Sequence, residues 1–325
     1  MKAVLLVGGK GTRLRPLTYR IPKPLIPVMG KPLMMHVIDS LPAEVDETII
    51  PVGYMRETME AYLKEHPPSR KITIVEEKEP MGTGGAVKNV EDYIDGDFLV
   101  INGDSISSLD MRRFIEYHRS KKAFATISLW EVEDPTPFGV VDMDVNGKIH
   151  RFQEKPTRQE AFSLLINAGA YALSYETLDH IDEGFVSMER QVFPRILDRG
   201  MYGMRFEGYW VDCGTRENLL DAYRTLMKAN ARGGEGPDDG RVIADRAAVE
   251  RGASVEGSSI GPFTYISRGT VVEPGSHITG SVLFEDVRIG PNCRIIDSIV
   301  DQGVVVPGGS VIESQILGAV EQAVE

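Results

Sequence analysis

The chain has 325 residues, with 36 Lys and Arg against 48 Asp and Glu and only 2 Cys. This length supports about two domains with a sizeable core, and a hydrophobic share of 42% argues against a chain dominated by disorder. A net charge of −12 weighs against broad electrostatic attachment to nucleic acid or anionic lipid, so neither nucleic acid nor membrane is an expected partner.

In chain order, the sequence begins with a segment whose charge departs from that average. Lys2, Lys10, Arg13, Arg15, Arg20, Lys23 and Lys31 all precede the first acid, Asp39. One basic segment in an acidic chain is the pattern expected for a small anionic ligand. Strands are expected at 3–7, 48–52, 72–75 and 98–101, and helices around 33–41, 56–65 and 86–93. Such alternation implies a parallel sheet covered on both faces, with ligands gathering at the carboxyl ends of the strands. Three loops follow these strands: 8–11, 76–85 and 102–105.

From Ala125 the texture is richer in strands, expected at 126–130, 139–143 and 149–153, with Asn146-Gly147 as a hairpin signal. A helix is expected over 216–228, then a polar Gly/Pro linker over 229–240. Beyond it an aliphatic residue recurs at six-residue spacing, with slips: Ile243, Val249, Val255, Ile260, Ile266, Val272, Ile278, then Ile289, Ile295, Val300, Val306 and Ile312. This is a hexapeptide β-helix pattern, in which each turn is stabilised by stacking on its neighbours. Cys213 and Cys293 have no metal or redox spacing. No apolar run reaches the ~18 residues of a membrane span, and the N-terminus lacks the features of a signal peptide. A reduced, cytoplasmic protein is the expectation. The six histidines share no ligand spacing, and His277, within the β-helix, is read as structural.

The chemistry-bearing string is Gly8-Gly9-Lys10-Gly11-Thr12-Arg13-Leu14-Arg15-Pro16-Leu17-Thr18, followed by Pro22-Lys23-Pro24. Glycines after a strand let backbone N–H groups approach phosphate oxygens, and Arg13 and Lys23 add fixed positive charge. It is not a Walker A loop, because no Gly-Lys-Ser/Thr closes it. Nor is it a dinucleotide fingerprint, since Leu14 stands where the third glycine should be.

The string resembles the signature of the sugar-phosphate nucleotidylyltransferases, G-G-x-G-T-R-L-x-P-L-T with a downstream P-K-P. The resemblance extends over about 230 residues through Pro80–Gly85, Asn102-Gly103-Asp104, Phe138-Gly139-Val140, Glu154-Lys155-Pro156, Asn167-Ala168-Gly169 and Trp210–Thr215. It implies an α/β fold: a Rossmann-like mixed, mainly parallel sheet in a catalytic domain over 1–228, then a left-handed parallel β-helix over 241–325. The implied reaction is attack by a sugar-1-phosphate oxygen on the α-phosphorus of a nucleoside triphosphate, releasing pyrophosphate. The implied catalytic residues are Arg13 and Lys23. Gly8, Gly9, Gly11, Thr12, Glu77, Gly82 and Thr83 would bind the nucleotide; Gly139, Glu154, Lys155 and Asn167 the sugar phosphate; Asp104 and Asp212 a Mg²⁺ ion.

Base choice is expected in the segment 76–82. Thymidylyl and uridylyl members commonly carry Gln where this chain has Glu77. An ionised carboxylate only accepts hydrogen bonds, which suits the adjacent N1–H and N2–H₂ donors of guanine and not a pyrimidine imide. Ser187–Pro194 followed by Gly208–Asp212 also resembles the guanylyltransferase branch. The expected substrates are therefore GTP and mannose-1-phosphate, handled by a homo-oligomer. The alternatives are a glucose-1-phosphate thymidylyl- or uridylyltransferase and a non-catalytic regulatory subunit of such an enzyme.

Overall fold

The computed structural model describes residues 1–233, 240–242 and 246–318. They form two compact units whose division does not follow chain order. Met1–Gly9 and Leu33–Trp210 make the first, while Lys10–Pro32 joins the residues from Val211 onward in the second.

The first unit is built on a nine-stranded mixed sheet among the described residues. Lys2–Leu6 lies parallel to Glu47–Val52 on one side and to Phe98–Asn102 on the other, and Glu47–Val52 is parallel to Lys71–Glu76. These are the short apolar runs of the sequence, and Val4, Ile49, Ile50, Leu99 and Val100 are closed to solvent. The chain lays strands on one side of Lys2–Leu6, then returns to the other. That reversal opens a crevice at the strands' carboxyl ends. Leu165–Leu173 then runs antiparallel to Phe98–Asn102, Ala125–Glu131 and Gly139–Met143, and Met201–Arg205 runs parallel to Ala125–Glu131. The sheet is thus mixed, as expected.

Helices cover it for reasons visible in their sequences. In Met111–Lys121, Met111, Phe114, Ile115 and His118 fall on one buried face, and the Asp110 side chain caps the start by accepting from the Arg113 N–H at 3.1 Å. The Asn146-Gly147 hairpin is present, linking the antiparallel strands Gly139–Met143 and Ile149–Glu154 with Gly147 at φ +83°. One expected helix is misplaced. It runs over Gly82–Lys88 instead of 86–93, where Glu91–Tyr93 makes only a 3-10 turn. Gly82, Gly84 and Gly85 are poor helix formers, but their missing side chains let this turn press on the backbone of Gly184 and Val186.

In the second unit the helix Arg216–Gly233 continues through 229–233, part of the stretch read as linker. Residues 234–239 of that stretch lie outside the described residues, as does Ile243. The strand Gly240–Val242 follows. Parallel strands then stack in three ladders whose inward residues, among them Ile266, Ile278, Leu283, Ile289, Ile295 and Val300, form one core. Tyr265 pairs with Val282, Val282 with Ile299 and Ile299 with Ile316, so a coil is 17 residues long. Three six-residue sides would need 18. One corner is short by a residue, which explains the slips in the spacing and places Leu283 in the column that the six-residue count passes over. In the first coil the short step comes one side earlier, where Ser259 and Ile260 pair with His277 and Ile278 at an offset of 18.

Candidate active site

The crevice of the first unit holds a pocket of about 360 Å³. Gly8, Gly9, Glu77, Gly82, Thr83 and Asp104 all border it. Gly8 and Gly9 leave the Lys2–Leu6 strand into open space, with nothing within 4 Å of where a Cβ would stand, and Gly9 has φ +110°. An anion can therefore approach this backbone closely. Glu77 is tied to the sheet by its N–H to the Val52 carbonyl at 3.0 Å. Gly53 admits that chain, since a Cβ there would come 2.8 Å from the Glu77 carbonyl oxygen. Burial pushes the Glu77 carboxyl above its ordinary value.

Gly139, Glu154, Lys155 and Asn167 gather next to one another on the antiparallel side of the same unit. Glu154 lies over Gly139, where a Cβ would come 2.9 Å from its Oε2. Burial raises the Glu154 carboxyl, the nearby Glu189 adds to the rise, and Lys155 and Arg190 oppose it. Lys155 holds φ +48°, a conformation uncommon for a lysine, with its N–H on the Phe138 carbonyl and its amine 3.7 Å from Glu154. Asn167 turns its Oδ1 back to the Gly169 N–H at 2.9 Å. Gly169 lies against Asn102, which borders the pocket, so the two groups of residues are neighbours.

Glu189 joins them, and it is a residue that sequence reasoning missed. Its Oε2 accepts from Thr83 Oγ1 at 2.7 Å and Ser187 Oγ at 2.8 Å, while its Oε1 accepts from Tyr171 OH, which in turn accepts from Asn167 Nδ2. Its signal in the sequence is the string Ser187-Met-Glu-Arg, part of the segment that resembles the guanylyltransferase branch. Trp210 Nε1 donates to the Ala168 carbonyl and the ring packs edge-on to Phe138, bracing the Asn167–Gly169 turn.

The second unit carries the other expected residues. Gly11 has φ +58°, and Thr18 Oγ1 donates to its carbonyl at 2.9 Å. Thr12 and Arg13 sit in the exposed 3-10 turn that follows, Thr12–Leu14. Lys23 is nearly buried, its Nζ 3.5 Å from Asp212 Oδ1. A Cβ on Gly214 would come 2.7 Å from Arg13 Nη2 and 3.1 Å from Asp212 Oδ1, so Arg13, Lys23 and Asp212 form one cluster. Thr215 caps the helix that follows, accepting from the Asn218 N–H.

The donor chemistry of Asp104 and Asp212, hard carboxylate oxygens, fits Mg²⁺. Among the described residues no group of three or more His, Cys, Asp and Glu stands ready for a metal. Mg²⁺ held by few carboxylates takes its remaining ligands from phosphate and water. Among those residues, too, no helix is long and apolar enough to cross a membrane.

Comparison with known proteins places these features in a wider set. A family model described as nucleotidyl transferase matches residues 2–229, and one described as GlmU-like, C-terminal hexapeptide matches residues 231–316. The mannose-1-phosphate guanylyltransferase of Mycobacterium tuberculosis is 36% identical over 309 residues, covering 90% of this chain and 82% of the relative. The bifunctional protein GlmU of Methanocaldococcus jannaschii is 35% identical over 328 residues, covering 93% of this chain and 78% of the relative. Among solved structures, HddC from Yersinia pseudotuberculosis complexed with GMP-PN is similar with a TM-score of 0.57 and 31% identity, covering 69% of this chain and 99% of that one.

Proposed function

The chain belongs to the nucleotidyl transferase family, as a sugar-1-phosphate nucleotidyltransferase with a hexapeptide β-helix, and we propose that GTP and mannose-1-phosphate are the substrates it joins. The observation that carries this choice is Glu77, a partly buried carboxylate at the pocket's edge. Ionised, it accepts from both guanine donors, and toward a pyrimidine its lone pairs oppose a carbonyl. The similarity to a curated mannose-1-phosphate guanylyltransferase supports the same reading.

In the proposed reaction a phosphate oxygen of the sugar-1-phosphate forms a bond to the α-phosphorus as the bond to the β-phosphate bridging oxygen breaks, and pyrophosphate leaves with that electron pair. The attacking oxygen is already anionic, so no general base is required. What the protein supplies is position and charge. Gly8, Gly9, Gly11 and Thr12 offer backbone N–H groups to the triphosphate, Gly82 and Thr83 shape the base side, and Arg13 and Lys23 stabilise the charge gathering on pyrophosphate. Lys155 offsets the repulsion between the two anions, and Gly139, Glu154 and Asn167 hold the sugar. Asp104 and Asp212 are the proposed Mg²⁺ ligands, and the ion when bound neutralises phosphate charge. We place the enzyme in the cytoplasm as a homo-oligomer.

The test is pyrophosphate release with Mg²⁺ across GTP, dTTP, UTP, CTP and ATP, each against mannose-, glucose- and N-acetylglucosamine-1-phosphate. GTP with mannose-1-phosphate should give the highest kcat/KM. A higher value for dTTP or UTP with glucose-1-phosphate would overturn the substrate choice. No turnover by the chain alone, restored by a partner subunit, would overturn the catalytic reading.

A further inference from the structure

Arg20 is one of the basic residues of the N-terminal segment with no place in the phosphate chemistry, and its guanidinium is committed elsewhere. Nη2 donates to Asp301 Oδ1 at 2.6 Å, Nε to Asp301 Oδ2 at 3.4 Å and Nη1 to Gln302 Oε1 at 2.9 Å. Asp301 belongs to the β-helix. Its side chain is 4% exposed, its own N–H is fixed to the Leu317 carbonyl, and its Oδ1 also accepts from the Gln302 N–H. A buried carboxylate held this way is a rigid anchor that needs its cation.

The segment at the other end of this anchor has little to hold it by itself. Between Lys10 and Pro32 the regular structure is limited to turns of three or four residues and a two-residue ladder. Arg20 ends the turn Leu17–Arg20, in which the buried Thr18 holds the Gly11 carbonyl. Lys23 follows three residues later, its Cβ and Thr18 Cγ2 both packed against Gly11. Arg13 leaves from the same Gly11 corner. Pro16, at the start of the Leu17–Arg20 turn, lies against Gly318 of the last described coil. The turn that spaces Arg13 from Lys23 is therefore fastened at both ends to the β-helix.

We propose that Asp301 and Arg20 are positioning residues for the reaction: the β-helix, through this pair, sets where Arg13 and Lys23 stand. The proposal rests on the reading that Arg13 and Lys23 handle the triphosphate. It gives the β-helix a part in catalysis through one ion pair, and it assigns Arg20 a purpose other than phosphate binding.

The test compares Asp301→Asn, Arg20→Gln and Arg20→Lys with Asp297→Asn in the full-length protein. Asp297 accepts from Arg224 of the helix Arg216–Gly233 at 2.8 Å, so its variant removes a β-helix ion pair without touching the segment. Amide hydrogen exchange over residues 11–26 should speed up by roughly tenfold or more in Asp301→Asn and Arg20→Gln and stay unchanged in Asp297→Asn. With the substrates that the wild type turns over, kcat/KM for the nucleotide should fall by roughly ten- to a hundredfold, while KM for the sugar phosphate stays within about twofold. Arg20→Lys should recover part of the loss, because it keeps the charge without the bidentate fork. Unchanged exchange over 11–26 in Arg20→Gln, or an equal effect of Asp297→Asn, would overturn the proposal. Should Asp301→Asn not fold, Arg20→Gln decides alone. A wild type that turns over no substrate pair counts against the functional reading, and the exchange result still decides the positioning role.

Discussion

Lys23 Nζ stands 3.5 Å from Asp212 Oδ1, with only 11% of the lysine side chain and 27% of the aspartate side chain exposed. The carboxylate thus holds the amine in place in the free protein, where the proposed reaction would bring the triphosphate to it. Lys23→Ala should lower kcat by roughly 10²- to 10³-fold, since a fixed cation is lost where charge develops. Stability measured by urea unfolding should fall by only about 1–2 kcal/mol. Turnover at the wild-type level would remove Lys23 from the reaction.

Glu77 gives a prediction on base choice and on pH. Glu77→Gln should shrink the preference for GTP over dTTP in kcat/KM by roughly ten- to a hundredfold, the worth of a bidentate base contact. Burial raises the Glu77 carboxyl, so on acidification it takes up its proton at a higher pH than an ordinary glutamate. KM for GTP should therefore begin to rise above the usual carboxylate range as pH falls. In Glu77→Gln that limb should vanish from the KM profile. Its persistence would assign the titration to another group.

At the opposite end of the first strand, Glu47 predicts acid behaviour. Burial pushes its carboxyl up, but hydrogen bonds from Thr73, Lys71 and Lys2 outweigh this and hold it at about 2. Its ordinary value is 4.5, so the stabilisation is complete above 4.5 and is lost as pH falls from there toward 2. Glu47→Gln should cost on the order of 2–3 kcal/mol at pH 7. The gap between mutant and wild type in denaturant unfolding should close across that window. A gap that stays constant with pH would locate the loss in packing.

Gly82 makes a prediction about the pocket wall. With φ +70° and a hypothetical Cβ 2.5 Å from the Val186 carbonyl oxygen, Gly82→Ala meets both backbone strain and a clash. A cost of about 1–3 kcal/mol is expected in thermal or denaturant unfolding, with a raised nucleotide KM, because the neighbouring Thr83 fixes Glu189. Gly96→Ala is the control, since a Cβ there meets nothing within 4 Å.

Much of this site was legible in the chain because it rests on local chemistry. The glycine turn with Arg13 and Lys23, the carboxylate at Glu77 and the hexapeptide tail are each a run of neighbouring residues with a meaning of its own. What escaped depends on partners far apart in sequence. Glu189 matters because Thr83 and Tyr171 converge on it, and Arg20 because a β-helix turn 281 residues away holds it. The Gly82–Lys88 helix escaped for a related reason. Local propensity speaks against three glycines in seven residues, and only the backbone at Gly184–Val186 explains them.

The 17-residue coil makes tail length a quantised property. A one-residue insertion or deletion within a strand would turn inward aliphatics outward along every later ladder unless a neighbouring corner gave back the difference. The first coil shows that compensation, since Val249 and Ile266 keep the 17-residue offset although Ile260 and Ile278 are 18 apart. Relatives of this chain should therefore lengthen or shorten their tails by whole coils, with single-residue changes occurring in cancelling pairs at adjacent corners.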